Sequence, residues 1–102
     1  MKTVYVSVGN SDDNLTQQEW AAFLVQVYAE FRRWGGRTHG VWFSAPVSQY
    51  QNACWCFEII NDWSEEELKK ALKNLAREYR QDSIAWAEVA VTHFLEPTHE
   101  PE

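Results

Sequence analysis

The sequence predicts an α+β fold of four strands and two helices in the order β-α-β-β-α-β, and three observations indicate it. Seven of the nine residues in 52–60 are apolar, with aromatic and β-branched members, which is typical of a central strand covered on both faces. Residues 3–8 alternate valine with polar or aromatic side chains, as a half-buried strand does. Two other segments open with capping boxes and continue with apolar residues at helical spacing.

The first helix is predicted to begin after Thr16. Thr16 and Glu19 form a capping box, and Leu15 and Trp20 stand where a hydrophobic staple would pack around it. Apolar residues then recur at helical spacing and form a stripe that can face a core. The glycine pair 35–36 ends the helix.

Strand two is predicted over 38–45, and Pro46 at its end suits an edge strand. The turn up to residue 51 leads into the apolar strand described above. Helix two is predicted to begin at Ser64, which forms a second capping box with Glu67. Polar residues 81–83 end this helix.

The last strand is predicted from residue 84 to about residue 95. The alternate set that starts at Ala85 is the more uniformly apolar one, so we expect it to face the helices. The economical arrangement is a ferredoxin-like βαββαβ sandwich with an antiparallel sheet of order 4-1-3-2 and both helices on one face. One domain over 1–96 and an acidic flexible tail over 97–102 are expected.

The net charge of −6 argues against a nucleic-acid-binding surface. Glu96, Glu100 and Glu102 carry three of these charges, and the remainder has 12 acids against 9 bases, which is −3. A nucleic-acid-binding protein would need a basic stripe. The six tryptophans are too many for one small core, so some are expected at a groove or an interface.

Two cysteines, Cys54 and Cys56, stand at i and i+2 on the predicted third strand and therefore share a face. Their spacing of about 6.5–7 Å exceeds the usual disulfide range, so both are read as buried thiols in a reducing compartment. There is no visible signal peptide, and no apolar run approaches about 20 residues. A cytoplasmic protein without membrane contact is expected.

The predicted topology brings three polar connections to one end of the sandwich, which we call the polar loop end. A binding site here is one hypothesis. Ordinary turn and capping roles, with an Arg80–Asp82 or Arg80–Asp12 pair, are the alternative. A divalent cation on Asp12, Asp13 and Asp82 is a third reading, but no ligand-spacing motif supports it, so no metal and no cofactor are expected. The polar loop end comprises Asn10, Ser11, Asp12, Asp13, Tyr50, Gln51, Asn52, Arg80, Gln81 and Asp82.

The second candidate site is the face of the sheet that no helix covers, which we call the open face. The alternation predicts that Tyr5, Trp42 and Trp86 lie on it. Strand three adds either the Cys54/Cys56 set or the Trp55/Phe57 set, and the sequence leaves this register undetermined. In both cases the face is aromatic with few charges, which suits an interface.

Catalytic patterns are sparse. The three histidines, His39, His93 and His99, have no nucleophile close in sequence. There is no nucleophile elbow, glycine-rich phosphate loop, HExxH or CxxC motif. No catalytic residues are predicted, although the question of enzymatic activity stays open.

Three segments, residues 4–13 (VYVSVGNSDD), 50–59 (YQNACWCFEI) and 79–88 (YRQDSIAWAE), together look like small uncharacterised proteins of actinobacteria and their phages. The resemblance implies a phage or mobile-element context and no transferable site residues. At fold level the chain is similar to dimeric α+β-barrel monooxygenases, ACT-type amino-acid sensors and several phage inhibitors of bacterial defence. Fold alone does not choose among them.

The sequence therefore predicts a non-enzymatic protein-interaction module, such as a phage-type inhibitor or accessory protein. It would bind a host protein, or a second copy of itself, through the open face, the polar loop end or both. The alternative is a sheet-to-sheet homodimer, α+β-barrel-like, that encloses a small-molecule or oxygenase-like site. This site would need a pocket between the sheet and the helices, with His39 or His93 near it.

Overall fold

The computed structural model describes residues 2–10, 14–45 and 50–98. Its elements run in the predicted order of strand, helix, strand, strand, helix and strand. No helix in these three ranges is long and apolar enough to cross a lipid bilayer. The strands are β1 (Lys2–Gly9), β2 (Thr38–Phe43), β3 (Asn52–Ile59) and β4 (Ala85–Glu88), and the helices are α1 (Gln17–Trp34) and α2 (Asp62–Glu78).

The start of α1 is where the sequence predicts it. The Glu19 amide donates to Oγ1 of Thr16 at 3.1 Å, and the Thr16 amide donates to Oε1 of Glu19 at 3.0 Å. This reciprocal pair satisfies two amides that the first helical turn would otherwise leave without partners. Leu15 and Trp20 are both buried beside it, which confirms the predicted capping box and staple positions.

Helix α2 begins earlier than predicted. Its N-cap is Asn61, whose side-chain oxygen accepts from the Ser64 amide at 2.8 Å. The prediction placed the cap at Ser64, which instead lies buried in the first turn. Asn61 and Ser64 are both residue types that cap helices well, so the sequence alone does not choose between them. The cap at Asn61 adds most of a helical turn, including a bond from the Glu65 amide to the Asn61 carbonyl at 3.1 Å.

The four strands form one antiparallel sheet of order β2-β3-β1-β4, which is the predicted order 4-1-3-2. The central position of β3 is confirmed. Its register is now fixed, because Val6 pairs with Trp55 and Tyr5 pairs with Cys56. Directly opposed residues share a face, so Trp55 and the valines point to the helices while the cysteines point to the open face.

The core lies between the sheet and the helices. Phe31 of α1 stacks on Phe57 of β3 with ring centroids 4.5 Å apart and meets Trp55 edge-on at 5.3 Å. From α2, Leu68 and Leu72 complete this layer. The other core residues are Val4, Val6, Val8, Leu15, Trp20, Phe23, Val27, Ala53, Ile59, Leu75 and Tyr79.

The prediction for the last strand was wrong in length and in face. Strand β4 covers only four residues, and Val6 pairs with Trp86, so Trp86 lies on the helix side. Its indole meets Phe57 edge-on at 6.1 Å and lies under the Lys69 ammonium. The small side chains of Ala85 and Ala87 take the open face instead. Burying one indole removes more apolar surface from water than burying two alanines.

Beyond β4 the chain loses its partner strand. The Val89 amide still donates to the Thr3 carbonyl at 2.9 Å, although β4 ends at Glu88. Residues 91–98, which we call the C-terminal arm, are all exposed. Phe94 and Leu95 expose 88% and 93% of their surface, so this arm presents apolar side chains without covering them.

Candidate functional site

The described parts of the three polar connections meet at one end of the sandwich. The Asn10 amide donates to the Gln51 carbonyl at 2.8 Å. The side-chain amides of Gln17 and Gln51 exchange two hydrogen bonds of 2.9 and 2.8 Å. A hollow of about 330 Å³ lies between this end of the sheet and the connection into β4, and it is lined by Ser7, Gly9, Asn52, Gln81, Asp82 and Ser83.

The remaining residues of the polar loop end have different placements. Tyr50 and Asp82 are exposed, whereas the Gln81 side chain donates to the Tyr79 carbonyl at 3.2 Å. Ser11, Asp12 and Asp13 lie outside the described residues. The reading of Asp12, Asp13 and Asp82 as a cation site therefore stays a hypothesis. Within the described ranges, no three His, Cys, Asp or Glu side chains form a group that could hold a metal ion.

Asn10 is a structural link within this end. It is buried, its Nδ2 donates to the Leu15 carbonyl, and its Oδ1 accepts from the Leu15 amide, each at 3.0 Å. The same Nδ2 lies 3.3 Å from Oε1 of Gln51. One side chain thus closes the loop before α1 and joins it to the connection before β3, which leaves it little capacity for a ligand.

We expect Asn10→Ala to lower the free energy of unfolding by about 2 kcal/mol, because it leaves a buried amide and carbonyl of Leu15 without partners. Asn10→Asp keeps the acceptor for the Leu15 amide, but it places a buried carboxylate oxygen against the Leu15 carbonyl, so it should also lower the free energy of unfolding. Urea unfolding at one protein concentration measures both variants. A change below about 0.5 kcal/mol in Asn10→Ala would contradict the structural role and return Asn10 to the candidate ligands.

Arg80 pairs with Glu19. Its Nη2 lies 2.8 Å from Oε2 of Glu19 and donates to the Asn14 carbonyl at 3.0 Å. Of the two predicted partners, Asp82 makes no ion pair with Arg80, and Asp12 lies outside the described residues. Its backbone has φ of 55°, a turn conformation just after α2 that directs the chain toward β4. Thr16 and then Arg80 lower the pKa of Glu19. Arg80 therefore ties the end of α2 to the start of α1.

The open face is formed by alternate residues of all four strands. Tyr5 and Trp42 lie side by side on it with ring centroids 6.4 Å apart and expose 40% and 54% of their surface. The indole of Trp42 lies over Gly40, where an added Cβ would come 3.1 Å from a ring carbon. Of the predicted anchors, Tyr5 and Trp42 are on this face and Trp86 is not. The described members of the open face include Thr3, Tyr5, Ser7, Gly9, Gly40, Trp42, Asn52, Cys54, Cys56, Glu58, Ala85 and Ala87.

The cysteines lie under these rings. Cys56 is buried, whereas Cys54 is partly exposed. Interaction with the Cys56 thiol is the main cause that raises the pKa of Tyr5. A shallow hollow of about 380 Å³ lies beside Trp42, lined also by Ser7, Ser44 and Cys54. This part of the open face is therefore apolar, with thiol and hydroxyl groups.

A polar cluster that the sequence analysis missed lies on the same face. Oε1 of Glu58 accepts from Oγ1 of Thr3 at 2.8 Å and lies 2.7 Å from Nε2 of His39. The register shift between Thr38 and Gly40 interrupts the alternation of β2 and lets His39 reach Glu58. Glu58, as the single charged residue of the apolar stretch 52–60, was the signal that could have found it.

We expect the stability contribution of Glu58 to depend on pH. His39 and then Thr3 lower the pKa of Glu58 below its ordinary value of 4.5. The contribution is therefore fully present above about pH 4.5 and is lost as the pH falls through the folded-state pKa. The difference in unfolding free energy between the wild type and Glu58→Gln should be larger at pH 7 than at about pH 3, as measured by urea titration.

Glu66→Gln is the matched control, since Glu66 is an exposed carboxylate on α2. It removes one negative charge without touching the cluster. If the difference in unfolding free energy between Glu58→Gln and the wild type is the same at both pH values, the ionised carboxylate does not stabilise the fold. The other histidines do not join this cluster within the described chain, because His93 is in the exposed arm and His99 lies outside the described residues.

The fold and the uncovered aromatic face define a ferredoxin-like α+β sandwich. No protein-family model matches the chain, and no curated protein matches its sequence. Solved structures do match it over nearly all of their length. A protein from Deinococcus radiodurans, named for a proposed role as an antibiotic biosynthesis monooxygenase, aligns with a TM-score of 0.56 and 10% identity over 97% of this chain and 100% of its own.

Two further structures have the same fold. The Arabidopsis thaliana protein At3g17210 aligns with a TM-score of 0.55 and 12% identity, covering 92% of this chain and 99% of that one. A dimeric ferredoxin-like protein of unknown function from Thermobifida fusca aligns with a TM-score of 0.53 and 8% identity, covering 89% and 92%. Identities this low show the fold alone. The resemblance to actinobacterial and phage accessory proteins stays a prediction.

Proposed function

We propose that this protein is an interaction module whose partner is a second copy of itself, joined through the open face. The observation that supports this most directly is the exposed pair of Tyr5 and Trp42 on a sheet face that no helix covers. Aromatic residues of this kind dominate the energy of interfaces. Placed in water on a monomer, they would form an exposed apolar patch that soluble proteins usually cover.

The charges of the open face also favour an interface. Its carboxylate, Glu58, already has two partners in Thr3 and His39, so less is lost when water is removed from it. Lys2 turns to the helix side, where it pairs with Glu65 at 2.8 Å. Two such faces can therefore meet without bringing an unpaired charge into a dry contact.

The C-terminal arm supplies the area that the sheet face lacks. Strands of eight, six, eight and four residues, about 4.8 Å apart, give a flat face of roughly 400 Å². This is below the about 800 Å² that each partner buries in a standard interface. The arm leaves β4 with Phe94 and Leu95 almost fully exposed. We propose that it lies across the second copy. The dimeric Thermobifida fusca protein of the same fold supports self-association.

Light scattering across a dilution series to low micromolar tests this proposal. We expect a mass of about 24 kDa, twice the 12.0 kDa of one chain, which is the isologous dimer that soluble proteins favour. A chain cut after residue 90 should dissociate at a higher concentration than the full chain. A mass of 12.0 kDa at every concentration would contradict self-association, and the full chain would then serve as bait for a different protein partner.

A second candidate is that the dimer encloses a small-molecule site on the open face. The hollow beside Trp42 and the Glu58 cluster favour an enclosed site, since the sheet of the second copy would cover both features. His39 lies on this side, so the predicted location between sheet and helices is replaced by the open face. A rise in melting temperature with a metabolite, absent in Glu58→Gln, would support the enclosed site. A flat response across a broad panel would count against it.

A further inference from the structure

A groove lies on the helix side of the sheet, between α2 and the start of β4. Its volume is about 650 Å³, within the range of sites that hold small organic ligands. Its floor is apolar and consists of Leu72 and Ala76 from α2 with Ile84 and Trp86 from the β4 side. Trp86 is only partly buried here, so the groove exposes part of its indole to any ligand that enters.

The rim of the groove is basic. Lys69, Lys73 and Arg77 follow one another at i, i+4 and i+8 and therefore stand in one row along α2. Asp82 is the carboxylate that also lines the groove. Lys69 is held in place, since its ammonium lies 4.9 Å above the Trp86 ring and 3.8 Å from Glu65.

Lys73 and Arg77 are in a different situation. Both are exposed, and neither makes an ion pair with a carboxylate in the described part of the chain. In the sequence alone these two cations look like part of an ordinary solvated helix face. The structure adds the apolar floor beside them, which a row of surface cations alone does not have.

We infer that this groove binds a small molecule with an apolar aromatic or aliphatic body and a carboxylate. The body lies on Leu72, Ala76 and Trp86 and displaces water from them. The carboxylate reaches the rim and pairs with Lys73 and Arg77, whose guanidinium offers two parallel donors. A neutral molecule of the same shape makes the first contact and lacks the second, so charge provides the selectivity.

The chain's own arm is not the occupant within one subunit. The groove lies at the start of β4, beside Ile84, whereas the arm leaves from the other end of β4, after Val89. The groove also lies on the opposite side of the sheet from Trp42 and the open face. Binding in the groove therefore does not require contact through the open face, and either proposal can fail without the other.

The test is a titration of the full chain, labelled with ¹⁵N, with 1-naphthoate and with its neutral counterpart 1-naphthalenemethanol. We expect both to shift the indole N–H resonance of Trp86. The naphthoate should bind about threefold to tenfold more tightly, because two exposed charge pairs contribute about that much. Light scattering on the same samples records whether the mass changes during the titration.

A double variant, Lys73→Gln with Arg77→Gln, should weaken naphthoate binding to the level of the alcohol. The matched control is Lys70→Gln with Arg32→Gln, which removes the same charge from two exposed positions outside the groove. It should leave the dissociation constant within about twofold, since exposed charges away from the ligand are largely screened.

Three results would overturn the inference. The first is equal affinity for the acid and the alcohol, and the second is an unchanged dissociation constant in the Lys73/Arg77 variant. The third concerns a chain cut after residue 90. If this shortened chain binds naphthoate at least about tenfold more tightly than the full chain, a difference of about 1.4 kcal/mol, the groove belongs to the arm of a second copy.

Discussion

Replacing Phe57 with alanine is expected to lower the free energy of unfolding by about 3–5 kcal/mol. Phe57 is fully buried and stacks on Phe31 at 4.5 Å, and Trp86 meets its edge at 6.1 Å. Removing this ring leaves a cavity that contacts both α1 and β4, so the two elements cannot close it by a local shift. Urea unfolding at a fixed protein concentration measures the loss.

Cys54→Ala is the control for this experiment. Cys54 stands three residues before Phe57 on the same strand, is partly exposed and faces the open side. Its replacement should lower the free energy of unfolding by less than about 1 kcal/mol. If the two variants lost similar stability, the register that places Trp55 and Phe57 against the helices would be wrong, and the open face would carry the aromatic set instead.

Trp42→Ala is expected to weaken self-association strongly while leaving the fold intact. A central tryptophan of an interface contributes about 2 kcal/mol or more when truncated. A symmetric dimer contains it twice, so the loss is about 4 kcal/mol, or about a thousandfold in the dissociation constant. Trp42 exposes 54% of its surface in the isolated chain, so the free energy of unfolding of the monomer should change little. Sedimentation equilibrium measures the dissociation constant.

Trp63→Ala provides a matched comparison. Trp63 is exposed to 62% on α2 and meets Trp34 edge-on at 5.2 Å, on the helix side and away from the open face. Its removal should leave the dissociation constant unchanged. Equal weakening by both variants would indicate a nonspecific contribution of exposed indoles, and an unchanged constant in Trp42→Ala would remove the open face from the interface.

The sequence predicted the strand and helix order and the sheet order because its strongest signals are local. The apolar run 52–60 required a central strand, and the Thr16–Glu19 box specified the start of α1. The register of β3 could not be predicted, since alternation defines two faces without saying which one is buried. Only the pairing of Tyr5 with Cys56 decides it.

The errors have separate physical causes. Trp86 was placed on the open face because its neighbours Ala85 and Ala87 made the other set look uniformly apolar, whereas burial follows the size of the apolar surface. The contact between His39 and Glu58 depends on a register shift in β2, which no alternation pattern contains. Asn10 was counted as a candidate ligand because the sequence shows its polarity and not its bonds to Leu15.

The central place of β1 has a consequence for synthesis. Of the four strands this one is synthesised first, yet both of its neighbours come later, β3 over 52–59 and β4 over 85–88. The sheet can close only after residue 88 has left the ribosome. Until then the valine-rich β1 has two unpaired edges, which are templates for pairing with other nascent chains. Co-translational folding of the first half alone is therefore not expected. Helix α1 is the described element that follows β1 and can cover these valines before β3 is made.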